Sequence, residues 1–104
     1  MNPTRAEAIA TLTATGMPYA LEQGLINGRP CRFFTHAPQT LGQLFADNVS
    51  DKTFLVYDDE RLSFSEVYDQ AMQLANILAS DFGVQHGDRV AISMRNYPEW
   101  VISF

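Results

Sequence analysis

The chain has 104 residues, a formal net charge of -5, 46% hydrophobic and 18% charged residues, which is the composition of a globular rather than a disordered polypeptide. Its seven basic residues, with Lys52 the single lysine, are scattered, which excludes the clustered Lys and Arg that nucleic acid requires. No apolar run approaches the ~20 residues that span a bilayer. The N-terminal stretch MNPTRAEAIATL carries a glutamate and no apolar core of signal-peptide length. One cysteine, Cys31, excludes an intrachain disulfide framework and fits a reducing, cytoplasmic setting.

Taken in chain order, Asn2 and Pro3 signal a helix start, and Arg5 to Thr15 is rich in Ala and Leu with Gly16 as its stop. Met17-Pro18 breaks the helix. Tyr19–Ile26 and Arg29–Thr35 flank Asn27-Gly28, a hairpin signal because both turn residues tolerate positive φ. Pro30 lacks an N–H and marks its strand as a sheet edge. Residues 1–39 therefore read as a helix plus hairpin set before a second unit, residues 40–104.

In that unit Thr40 caps a helix running to about Asn48, with Leu41, Leu44, Phe45 and Val49 on one side. Thr53–Tyr57 is a β-branched and aromatic strand, Asp58-Asp59-Glu60 a polar turn, and Arg61–Phe64 the return strand. Ser63 followed by Glu66 has capping-box spacing. The helix it opens carries Phe64, Val67, Tyr68, Ala71, Leu74, Ala75, Leu78 and Phe82 on its inner stripe, and Ser65, Glu66, Asp69, Gln70, Gln73, Asn76, Ser80 and Asp81 on its wet face. Gly83 ends it. Arg89–Met94, with Val90, Ala91 and Ile92, suits a strand of an α/β sheet, so the long helix reads as a βαβ crossover. Pro98 opens a further helix, with Trp100, Val101 and Phe104 starting an apolar face. That helix has run about two turns when the sequence stops without a terminal glycine, the expectation for the front of a larger protein.

Candidate chemistry is thin. His36 and His86 sit alone in loops, without metal-ligand spacing. Asp58-Asp59-Glu60 lacks the alternating oxygen ligands and distant Glu of a calcium loop. Cys31 has no CxxC partner and reads as a half-buried strand thiol. Gly83 and Gly87 lack the following Lys-Ser or Lys-Thr of a phosphate loop. Phe82, Tyr97, Trp100 and Phe104 read as core aromatics. The residues themselves supply no catalytic, cofactor-binding or metal-binding site.

Leu62 to Phe104 nevertheless fills a specific pattern: Phe64-Ser65-Glu66-Val67, Ala75, Leu78, Gly83-Val84, Gly87-Asp88-Arg89-Val90-Ala91-Ile92 and Asn96-Tyr97-Pro98-Glu99-Trp100. In order and spacing this resembles the start of the adenylate-forming superfamily, whose usual form is "(T/S)(Y/F)xEL", then "AxxLxxxGvxxGDrVai", then "N(s/y)pE(w/f)vxxf". Departures are minor: Val67 for Leu, and Asp81-Phe82 before the glycine. The first 39 residues resemble the leader of acyl-CoA synthetases more than that of peptide-synthetase modules.

The resemblance implies a mixed α/β fold that is one piece of the large N-terminal domain of such an enzyme. It also implies a parent that joins a fatty or aromatic carboxylic acid to ATP as an acyl-adenylate, releasing pyrophosphate, and then passes the acyl group to CoA. ATP, Mg and CoA are implied for the parent. Its phosphate loop, magnesium carboxylate, ribose aspartate and C-terminal lysine lie in sequence not present here, so no catalytic residue carries over. The alternative is a free-standing, non-enzymatic α/β interaction domain. A fragment with an open strand edge and unpartnered aromatics is expected to self-associate.

Overall fold

The computed structural model describes residues 2–104 and divides the chain into two units, residues 1–39 and 40–104. The elements are mixed α/β: four helices and two separate two-stranded antiparallel sheets among the described residues.

The first unit holds α1 (Arg5–Leu12), β1 (Leu21–Ile26) and β2 (Arg29–Phe34). Helix α1 is capped by Thr4, not by the Asn2-Pro3 pair that the sequence suggests. Threonine wins because Glu7 stands three residues on: the Thr4 N–H donates to the Glu7 carboxylate at 2.8 Å while the Glu7 N–H donates to the Thr4 hydroxyl at 3.3 Å. The helix also ends at Leu12 rather than Thr15. Thr11 and Thr13 turn their hydroxyls back onto the carbonyls of Glu7 and Ile9, and such threonines weaken a helix. In the hairpin, Asn27 (φ 50) and Gly28 (φ 77) both take left-handed backbone, as the turn demands. Its register pairs Gly24 with Cys31 and Leu25 with Pro30.

The second unit begins with α2 (Leu41–Ala46), where the Gln43 N–H donates to the Thr40 hydroxyl at 3.1 Å. Strands β3 (Thr53–Tyr57) and β4 (Glu60–Ser63) turn through Asp58, at φ 48. Helix α3 (Phe64–Ser80) follows without a spacer. Phe64 was expected in the strand, and it half belongs there: its N–H donates to the Lys52 carbonyl at 3.0 Å, one step past the ladder. The next amide, of Ser65, donates to the Ser50 carbonyl at 3.0 Å. The capping box closes the start, with the Ser63 N–H on the Glu66 carboxylate at 2.7 Å and the Glu66 N–H on the Ser63 hydroxyl at 3.1 Å.

The apolar stripe of α3 gathers around Val67, which is wholly buried, although Ala75, expected on its inner side, is exposed. Phe64 stacks on Phe54 with ring centres 4.3 Å apart, and Phe45 of α2 meets Phe54 edge-on at 6.0 Å. Ser65, read as wet, is half-buried because its backbone is tied to Ser50. Phe82, read as the last inward residue, is 74% exposed. The helix has ended at Ser80 and the chain has turned through Gly83, at φ 67.

Two further expectations fail. Arg89–Met94 forms no strand, and so no βαβ crossover exists among the described residues. A strand is made by hydrogen bonds to a neighbour, and no backbone–backbone hydrogen bond involves residues 89–94 here. Secondly, the aromatics of α4 (Pro98–Ser103) and its flanks are not core: Tyr97 is 40%, Trp100 37% and Phe104 63% exposed. Trp100 and Phe104 stack on each other at 5.4 Å instead, and Tyr97 meets Tyr57 edge-on at 5.2 Å. Pro98 is the first residue of α4, as its missing N–H favours. No described helix is long and apolar enough to cross a membrane.

Two variant series test the role of α3. Val67→Ala removes the one fully buried large side chain and should cost about 1.5–3 kcal/mol, whereas Gln73→Ala on the wet face should stay within about 0.5 kcal/mol; urea midpoints separate them. Ser63→Ala should cost about 0.5–2 kcal/mol through the lost cap. The Glu66 carboxyl is held below its ordinary value by the Ser63 N–H and then the Ser63 hydroxyl. Its contribution is thus fully present above the unfolded-state titration and lost as pH falls through the lower folded-state value. Glu66→Gln should flatten the acid limb of a plot of melting temperature against pH, and an unchanged limb would contradict the cap.

Candidate functional site

The second unit carries an apolar groove of about 340 Å³ lined by residues of α2, α3 and α4. Phe45, Leu74, Leu78, Val101 and Phe104 are among its lining residues. Tyr68 and Ser103 are its polar side chains, and the Ser103 hydroxyl is already spent on the Glu99 carbonyl at 2.7 Å. Such a lining binds apolar surface. It offers nothing to a phosphate or a metal.

The remaining candidates are equally bare of chemistry. The Cys31 thiol sits half-buried on β2, opposite Gly24. His36 and His86 both lie in turns. Among the described residues no group of three His, Cys, Asp or Glu side chains is placed to hold a metal ion. Tyr57 is pushed above its ordinary value by desolvation, then by Tyr97 and Glu99, so its hydroxyl stays protonated at neutral pH and cannot act as a base.

ATP and Mg, implied by the family pattern, do not fit these residues. A nucleotide phosphate needs free backbone donors at a helix start or a glycine-rich loop. At α3 the first three amides are spent: Phe64 on Lys52, Ser65 on Ser50 and Glu66 on the Ser63 hydroxyl. The Glu66 carboxylate adds negative charge at the same place. No catalytic step is therefore assigned to this chain's side chains.

What the pattern residues do here is build backbone. Gly83 (φ 67) and Gly87 (φ 94) take left-handed conformations. Between them the Gln85 N–H donates to the Asp88 carboxylate at 2.8 Å, and the Asp88 N–H returns to the Gln85 carbonyl at 3.0 Å. Asp88 thus fixes the turn that redirects the chain after α3. Pro98 fixes the next entry into helix. The string Gly-Val-Gln-His-Gly-Asp is a folding signal, which its lack of nucleophile or cradle already implies.

Comparison with known proteins agrees with that pattern. The family described as AMP-binding enzyme matches residues 43–104. A long-chain-fatty-acid–CoA ligase of Bacillus subtilis is 35% identical over 69 residues, covering 64% of this chain and 12% of that protein. An acetyl-coenzyme A synthetase of Sinorhizobium fredii is 46% identical over 43 residues, 41% of this chain and 6% of that protein. Bacitracin synthase 3 of Bacillus licheniformis is 40% identical over 68 residues, 62% of this chain and 1% of that protein. The chain thus spans only a small part of each relative's length, and no solved structure matches it significantly. With its second unit matched almost from end to end, the chain belongs to the family of AMP-binding enzymes.

Proposed function

We propose that residues 1–104 are the N-terminal part of an AMP-forming acid–thiol ligase, an acyl-CoA synthetase acting on a fatty or aromatic carboxylic acid. The family match over residues 43–104 carries the reading, and the names of two relatives, a fatty-acid–CoA ligase and an acetyl-coenzyme A synthetase, favour CoA as the acceptor. Bacitracin synthase 3 matches over a similar length, so a carrier thiol is the second reading. ATP, Mg, the acid and CoA are ligands of the whole enzyme. A cytoplasmic setting belongs to the same reading, supported by the single cysteine.

These 104 residues serve that enzyme as scaffold. They position α2, α3 and α4 and leave the chemistry to other sequence, because adenylate formation needs donors placed around developing phosphate charge and the first amides of α3 are already spent. By themselves they self-associate through their exposed apolar surface.

Two measurements test this. With ATP, Mg and a panel of fatty and aromatic acids, the purified 104-residue chain should release pyrophosphate at background, whereas the intact gene product should release it with at least one acid. Turnover by the short chain, or none by the intact product, contradicts the reading. Light scattering on a sizing column should give the short chain a mass that rises with concentration; a constant monomer mass contradicts self-association.

A further inference from the structure

Strand β1 (Leu21–Ile26) has one open side. The turn at Asn27-Gly28 makes Ile26 and Arg29 a hydrogen-bonded pair, and beyond the other end the Thr35 N–H donates to the Ala20 carbonyl at 2.8 Å. Bonded pairs alternate along an antiparallel ladder. Glu22 and Gly24 therefore also bond toward β2, while the N–H and C=O groups of Leu21, Gln23 and Leu25 point outward. Among the described residues, no backbone–backbone hydrogen bond outside the β1·β2 ladder involves residues 21–26. The outer side of β2 is blunted: Pro30 has no N–H to offer, and the Phe34 carbonyl accepts from the Ala37 N–H at 3.2 Å. The hairpin is a sheet of two strands, an arrangement that is marginal in water without further strands.

We propose that β1 pairs with β1 of a second copy, antiparallel across a two-fold axis at Gln23, to give a four-stranded sheet in the order β2-β1-β1-β2. The three outward residues are symmetric about Gln23. In this register Gln23 stands opposite its counterpart and Leu21 opposite Leu25 of the other copy, and each pair exchanges both of its hydrogen bonds. Sliding the register by two residues loses a pair in either direction. In one direction it also sets Glu22 directly against its counterpart, and like charges directly opposite repel. Side chains favour the same register. Leu25 already stands beside Pro30 and Leu21 beside Phe34, so the pairing joins Pro30 and Leu25 of one copy to Leu21 and Phe34 of the other in one apolar row. In the single chain Leu25 is 70% and Phe34 50% exposed. Charge permits the contact: residues 1–39 hold three arginines and only two of the 12 acidic residues, Glu7 and Glu22, so the negative charge of the chain lies in residues 40–104. The pairing deepens the self-association proposed above and is independent of the ligase chemistry.

Disulfide trapping reads the register. Gln23→Cys in a Cys31→Ser background places two thiols on a bonded pair whose Cα atoms are about 5.5 Å apart, within the span of a disulfide. Under mild oxidation most of this variant should become a covalent dimer. Ile26→Cys in the same background lies about 20 Å along the strands from its counterpart and should be trapped about tenfold less or lower still. Gln23→Pro removes an outward N–H and spares the bonds to β2, so in light scattering the concentration of half-association should rise about tenfold or more. Equal trapping at both positions, or none at 23, overturns the proposal. A mass that rises with concentration without trapping at 23 overturns it while leaving self-association to another surface, so the two failures are distinct. In the intact gene product, Gln23→Cys should likewise link position 23 to position 23, read by peptide mass mapping. A short chain that links beside an intact product that does not overturns the second copy as occupant and gives the edge to other sequence of the longer protein.

Discussion

The second unit depends on one junction, where β4 becomes α3 with no residue between them. Ser63 ends the strand and caps the helix, Phe64 continues the ladder onto Lys52 and begins the helix, and Ser65 reaches back to Ser50. Three consecutive residues thus tie the helix start to the hairpin and the turn before it. The free amides of a helix start would otherwise need water or an anion. One turn further on, Val67 is fully buried, and Phe54 and Phe64 stack on each other as a contact between strand and helix. The first three amides of α3 are therefore not available to a phosphate.

Beyond that junction the packing thins quickly. Only Ala20, Val67 and Pro98 are buried among the described residues. The chain exposes 8926 Å², whereas two separately folded pieces of these lengths would expose roughly 7,000 Å². The surplus is largely apolar side chains of the kind that enclose a core: Leu41, Leu44, Met72, Ile77, Val90 and Phe104 are all more than a third exposed. Helix α3 therefore has one side that is closed by the hairpin and another, toward the groove, that is not.

The sequence made most of this visible where the determinant is local. The Asn27-Gly28 turn, the Ser63–Glu66 cap, the stripe from Phe64 to Leu78, the glycine at 83 and the proline at 98 each act over a few residues, and each is where spacing put it. The Thr4–Glu7 box was equally legible but was hidden by the more familiar Asn-Pro signal just before it. Misreadings gather where the outcome depends on a partner. Arg89–Met94 has the composition of a strand but composition supplies no neighbour, and Phe82, Trp100 and Phe104 are core residues only if something covers them. The family pattern was legible for the same local reason: Gly83, Gly87, Asp88 and Pro98 set backbone direction, which leaves a mark in sequence without any catalytic group nearby.

The central claim is that these residues organise around α3 without enclosing a full core. The slope of urea unfolding reports it most directly, because that slope scales with the surface newly exposed. Measured by far-ultraviolet dichroism at low protein concentration, the 104-residue chain should unfold broadly, with a slope below about 1 kcal/mol/M, the lower end of the range for small closed proteins. A sharp two-state transition with a slope of about 1–3 kcal/mol/M would contradict it, showing that the chain buries as much surface as a complete domain.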